Sequence, residues 1–156
     1  MRKSFVALGL LAITVFAGST SQNTNLTGSI ESGCSVDNTP SLAMSFSGFE
    51  DSTGSFDLQM TCSNSLAYTI DIDAGQNANA NIRRATDGNG NYLAYRLYQD
   101  SAMSQEIGVS ANNQISGTGT GNQETYTFYA KVATADNDPL PPTGTYQDTL
   151  AITISW

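Results

Sequence analysis

Hydrophobic and polar residues alternate with a period of two along much of the chain. In 55–62, SFDLQMTC, the residues Phe56, Leu58, Met60 and Cys62 fall on one face. In 67–73, AYTIDID, Tyr68, Ile70 and Ile72 oppose Thr69, Asp71 and Asp73. In 92–98, YLAYRLY, Leu93, Tyr95 and Leu97 stand together, and in 125–133, TYTFYAKVA, Tyr126, Phe128, Ala130 and Val132 do the same. The last stretch, DTLAITISW, puts Leu150, Ile152, Ile154 and Trp156 on one face. These runs are rich in β-branched and aromatic side chains, the composition of half-buried strands. Shorter candidates lie at 43–49 and 105–109. Turn signals stand between them at Asp87-Gly88-Asn89-Gly90, at Ser116-Gly117-Thr118-Gly119 and over 139–144. No window after the first segment carries an apolar stripe of helical period. The pattern predicts one all-β domain, an antiparallel sandwich of the immunoglobulin type, with no repeat and no internal linker.

The first segment is set apart from this pattern. MRKSFVALGLLAITVFAGST opens with Arg2 and Lys3, continues apolar from Phe5 to Ala17, and ends in small residues. That is the layout of a secretory signal peptide, assigned to 1–19 with cleavage expected after Ala17 or Ser19. A bilayer core needs about 20 apolar residues. This run is shorter and its far end turns small and polar, and no later stretch is apolar enough to span a membrane.

Export changes how the rest is read. Cys34 and Cys62 are the only cysteines, and in an oxidising compartment a disulfide between them is the default. A redox pair has two residues between its cysteines, and a metal site needs further soft ligands that this chain lacks. Closing a loop of this length removes about 3–4 kcal/mol of unfolded-chain entropy.

Composition narrows the function. The 156 residues carry six basic and fourteen acidic side chains, a formal charge of −8 and no His. Loss of Arg2 and Lys3 with the signal leaves four basic residues and a charge of −10. Without His there is no Ser–His–Asp hydrolase, no Cys–His nucleophile and no His-ligated zinc. Without clustered Lys and Arg there is no phosphate-neutralising surface for nucleic acid. Hydrophobic residues at 39% are enough to build a core, so the chain is not an acidic disordered tail.

Two features of the layout ask for an explanation. The last apolar run reaches Trp156 with nothing after it to pair against, and an exposed apolar edge invites aggregation unless it is covered. Residues 22–33 form a polar arm whose apolar residues, Leu26 and Ile30, flank Gly28 at alternate positions, as a strand pressing one face into a groove requires. Such an arm on a neighbouring copy would cover the edge by strand addition. A frayed terminus and the chain's own first strand remain open as alternatives.

From Cys34 onward the chain resembles the spore coat protein U family, which belongs with the archaic chaperone–usher pilins. The matching pieces are Cys34-Ser35-Val36, Phe46 with Gly48-Phe49, Met60-Thr61-Cys62 and Tyr68-Thr69-Ile70. Arg83-Arg84 follows, then the most specific stretches, Leu93 to Asp100 (LAYRLYQD) and Gly144 to Leu150 (GTYQDTL), on either side of Tyr126 to Val132. The resemblance implies a sandwich lacking its final strand. A periplasmic chaperone fills the gap first, and the N-terminal arm of another subunit replaces it at an outer-membrane usher. Carried onto this chain, 20–33 is the donor arm, with Leu26, Gly28 and Ile30 facing the groove. Residues 34–156 are the pilin-like domain, and Leu150, Ile152, Ile154 and Trp156 edge the groove. Cys34–Cys62 would then fasten the start of the first core strand to the end of the second.

Other chemistry is weaker. Asp71-x-Asp73 and Asp87-Gly-Asn-Gly-Asn91 offer oxygen ligands, but a calcium loop starting at Asp87 needs Gly sixth and Glu twelfth, where Tyr92 and Tyr98 stand. A tight hairpin is the better reading, and no cofactor, metal or catalytic residue is expected. Fourteen acids single out no glycosidase pair, and Lys131 reads as a solubilising charge rather than one half of an isopeptide link. The expectation is a secreted structural subunit of a surface pilus, serving adhesion and biofilm formation. Its partners would be homologous subunits, chaperone and usher, with no nucleic acid and no stable membrane span. The alternatives are a non-fibrous coat protein and a receptor-binding adhesin module.

Overall fold

The computed structural model describes residues 22, 25–110 and 114–156. The expected signal segment lies outside the described residues. The chain divides into a unit ending at Ile30 and a unit running from Glu31 to Trp156. In the first, 25–30 has no regular secondary structure, and Leu26 and Ile30 are 97% and 96% exposed.

The second unit is built of strands: β1 Cys34–Val36, β2 Ser52–Cys62, β3 Ala67–Ile72, β4 Arg83–Thr86, β5 Tyr92–Tyr98, β6 Glu106–Ile107, β7 Ile115–Thr118, β8 Gln123–Val132 and β9 Ile152–Ser155. One 3-10 turn, Thr134–Asp136, is the only helical element among the described residues, and none is long and apolar enough to cross a membrane. All pairings are antiparallel. One sheet runs β1-β2-β8-β5-β4 with β6 also on β5, and the other runs β7-β3-β9. The centre of the larger sheet is the long β2–β8 ladder, from Ser52 opposite Val132 to Thr61 opposite Gln123.

The alternating residues of those strands meet between the sheets. Leu58, Met60, Ile70, Leu97, Ile107 and Phe128 are fully or nearly fully buried, and each such side chain contributes roughly 1.5–3 kcal/mol. The Phe56 and Phe128 rings pack at 5.4 Å between centroids. The disulfide Cys34–Cys62 is formed. It ties the first residue of β1 to the last of β2, which sit opposite each other in the ladder.

Three expectations shift in detail. Ser116-Gly117-Thr118, expected as a turn, is part of β7, pairing with Ala67 to Thr69 of β3. Gly117 is there because the Tyr68 ring lies against its backbone, where a side chain would collide. The turn falls later, at Gly121 with φ +76°. The candidate strand at 43–49 is irregular. Pro40 lacks a donor, Gly48 sits at φ +85°, and among the described residues no strand pairs with it. Finally, β9 begins at Ile152 rather than at the start of the apolar run, and Trp156 lies past its end, 60% exposed.

Candidate functional site

A groove of about 670 Å³ opens beside the core of the 31–156 unit. Its floor is the inner face of the larger sheet, with Phe56, Leu58, Leu93, Tyr95, Leu97 and Ala130. One wall is Val36, the last residue of β1, with the irregular stretch 38–44, where Leu42 and Met44 lean on β2 at Gly54; a side chain at Gly54 would lie 2.9 Å from Leu42 and 3.1 Å from Met44. The other wall is 146–152. Apolar surface is left partly open along it: Val36 and Leu42 are 51% and 38% exposed.

The second wall crosses between the sheets. Gln147 bridges to Thr86 at the edge of the larger sheet, with backbone hydrogen bonds of 2.9 Å in both directions. By Ala151 the chain has joined β3, and the Asp73 amide donates to the Ala151 carbonyl at 3.0 Å. Thr153 lies opposite Asp71 and Ser155 opposite Thr69. Residues facing a partner alternate along an antiparallel ladder, so Ala151, Thr153 and Ser155 turn their backbone to β3. The backbone groups of Leu150, Ile152 and Ile154 therefore face the other way. Among the described residues no strand pairs on that side of β9. Their side chains are half-buried against the core. Of the four residues expected along this edge, three share its inner face; Trp156 does not pack there.

Polar contacts hold this wall. Asp148 accepts the Tyr95 hydroxyl at 2.6 Å on Oδ2, and on Oδ1 the amides of Gln76 at 3.0 Å and Thr149 at 2.9 Å. Asp73 Oδ1 accepts the amides of Gly75 and Ala151, each at 3.0 Å. Burial, and then the hydrogen bond to Asp148, pushes the Tyr95 hydroxyl well above its ordinary value, so it stays a donor. Gly75, at φ +73°, leaves the room Asp148 needs: a side chain there would overlap the carboxylate.

Deeper in the core, Arg83 is 2% exposed. Its guanidinium donates to the carbonyls of Ile72 (2.9 Å), Asp73 (2.9 Å), Gly108 (3.0 Å) and Ile107. Among the described residues it makes no ion pair. Desolvation by burial pulls it below its ordinary value, yet a guanidinium stays charged at any working pH. Its neighbour Arg84 points outward, over the Tyr92 ring at 4.1 Å. Asn137, also buried, caps the β5 backbone through the Ala94 amide (2.8 Å) and carbonyl (3.0 Å). Periodicity marks none of these polar residues, because each acts on backbone far away in sequence.

The remaining candidates are absorbed by local structure. Asp87 accepts the amides of Asn89 (2.8 Å) and Asn91 (3.1 Å) and the Asn91 side chain (2.7 Å), closing the hairpin between β4 and β5. Asp73 holds the groove wall. Lys131 pairs with Asp51 at 2.8 Å, and Arg96 with Asp136 (2.7 Å) and Glu106 (3.1 Å). Leu26, Gly28 and Ile30 lie in the other unit.

A two-sheet antiparallel sandwich with one edge unpaired over an apolar groove is the class of fold present. The Spore Coat Protein U domain model matches residues 15–153, and the chain belongs to that family. No curated protein matches the sequence. Among solved structures, the chain is similar to a chain in the chaperone–tip adhesion subunit pre-assembly complex, CsuC–CsuE, of the archaic chaperone–usher Csu pili of Acinetobacter baumannii. That match has a TM-score of 0.58 and 21% identity, and covers 81% of this chain and 40% of that one. A weaker likeness, TM-score 0.48 and 14% identity, covers 80% of this chain and 41% of a chain from a chaperone–tip adhesin complex of CFA/I fimbriae biogenesis. The chain thus spans well under half the length of the solved chains it matches.

Proposed function

We propose that the protein is a structural subunit of a cell-surface pilus that polymerises by strand exchange. A periplasmic chaperone and an outer-membrane usher would be its assembly partners, and adhesion and biofilm formation the service of the fibre. The observation that carries this is the open groove: an apolar floor, a wall whose backbone groups at Leu150, Ile152 and Ile154 face no strand among the described residues, and an opposite wall that is irregular over 38–44. The arm of another copy supplies the matching element. Its backbone would pair along 150–154, and Leu26 and Ile30, exposed in the free chain, would go down onto the floor with Gly28 between them. Each buried anchor would contribute roughly 1.5–3 kcal/mol, so the backbone ladder has to contribute much of the rest. The family and the pilus-subunit fold support this reading, and the low share of charged residues, 13%, and the lack of His favour a structural role over an enzymatic one.

The test is deletion of residues 22–32 from the exported protein. Strand exchange predicts no polymer, with the truncated subunit held as a chaperone-bound monomer. A truncated protein that still assembles into fibres overturns the proposal.

A further inference from the structure

The two most specific stretches of the sequence, LAYRLYQD and GTYQDTL, lie far apart in the chain, yet they meet in one hydrogen bond, Tyr95 to Asp148 at 2.6 Å. From this geometry we infer that Tyr95 and Asp148 are positioning residues that set the groove wall at 148–151 in its strand-accepting shape before any donor arrives. The inference rests on the strand-exchange reading of the groove.

The wall has little else to hold it there. At Gln147 it leaves the larger sheet, and only at Ala151 does it join the smaller one, so 148–150 lies in neither ladder. Side-chain carboxylates take the place of the missing ladder. Asp148 fastens this stretch to Gln76, and Asp73 fastens it at the Ala151 amide. Both attachments reach the 73–76 turn, which belongs to the smaller sheet's side of the groove. The larger sheet's edge holds the wall at Gln147, through Thr86; beyond that bridge, Tyr95 is the one side chain of the floor that hydrogen-bonds to 148–150 among the described residues, so it sets the width between floor and wall there. Hydrogen bonds to a charged acceptor are the stronger kind, and both groups line the groove itself. A wall already in place spares an incoming strand the cost of ordering it.

The test compares the full mature chain with Tyr95→Phe, which deletes only the hydroxyl, and Asp148→Asn, which keeps size and one acceptor oxygen. Two readouts are taken: amide hydrogen exchange in the free protein, and capture of a labelled synthetic peptide of residues 22–33. In both variants the Thr149 and Ala151 amides should exchange about tenfold faster or more, the fold-change that loss of one hydrogen bond to a charged acceptor produces. The core amides of Leu58, Ile70 and Phe128 should not change. Peptide capture should slow by a similar factor. Unchanged exchange at 149 and 151, a uniform rise across the core, or capture at the wild-type rate each overturns the inference. If the wild type itself captures no peptide, the strand-exchange reading fails and the inference falls with it; failure confined to the variants' readouts removes the inference alone.

Discussion

Arg83→Met is the most exacting test of how the two sheets are joined. Arg83 leaves β4 of the larger sheet and donates to Ile72 and Asp73 at the end of β3, and to Ile107 and Gly108 at and just past β6. Methionine fills most of the volume but donates nothing, so four carbonyls lose their partner at once. A hydrogen bond to a charged group contributes about 1.5–3 kcal/mol, and a buried acceptor left alone costs about 1–3 kcal/mol. Against this stands the relief of no longer burying a guanidinium, several kcal/mol in the opposite direction. The balance is a loss of about 3–5 kcal/mol, a large share of the 5–15 kcal/mol typical of a domain. Arg83→Lys keeps the charge but not the fork, and should lose about half as much. Arg84→Met next door gives up one backbone bond to Asn77 and the contact with the Tyr92 ring, worth about 1 kcal/mol or less. Urea unfolding of the oxidised protein lacking residues 1–19 measures all three. Arg83→Met within about 1 kcal/mol of wild type, or no more damaging than Arg84→Met, would refute the account of Arg83 as the tie between sheets.

Three further outcomes are expected. Replacing Cys34 and Cys62 by Ala opens a link spanning 28 residues and should lower unfolding free energy by about 3–4 kcal/mol; an unchanged urea midpoint refutes it. The Lys131 hydrogen bond, with those from Thr134, holds Asp51 down to about 2 from 3.8, and hydrogen bonds lower Asp136, chiefly from Arg96, and Asp37, chiefly from Thr61. A depressed carboxyl stabilises the fold above its unfolded value and loses that contribution as pH falls through its folded one. The melting temperature should therefore hold from pH 7 to near 4 and drop between about 4 and 2, and a flat profile there would contradict the assignment. Arg83 and Arg84 lie in β4, Arg96 in β5 and Lys131 in β8, so trypsin should leave the folded chain whole once residues 1–19 are removed. Chymotrypsin should cut at Phe49, which is 85% exposed, and rapid tryptic fragmentation without denaturant would count against the fold.

The long strands are legible in the sequence because each buries one face, and burial writes a period of two: Leu58, Ile70, Leu97 and Phe128 all sit where alternation puts them. β7 is not legible, because Gly117 serves the Tyr68 ring rather than the backbone turn it signals elsewhere. The candidate at 43–49 alternates apolar residues (Ala43, Met44, Phe46, Phe49) but forms no strand, so its composition points to a ladder that is not there. One edge of the groove is legible as an alternating apolar run, Leu150, Ile152 and Ile154. Its floor and its opposite wall are not, since they are defined by the space between elements distant in the chain. The polar ties escape for a sharper reason. Tyr95 reads as one more inward aromatic and Asp148 as a surface acid, and nothing local to either reveals the other, 53 residues away.

The place of the disulfide has a mechanical consequence. Residues 22–33 run directly into Cys34, the first residue of β1. In a strand-exchanged fibre, tension from the neighbouring subunit enters the domain at that point. β1 has only three residues and would peel away under load one hydrogen-bonded pair after another. The Cys34–Cys62 bond passes the pull straight to the end of β2, which is zipped along its length to β8. The load is then carried in shear across that ladder, all its hydrogen bonds sharing it together. A reduced fibre should stretch and yield at lower force than an oxidised one.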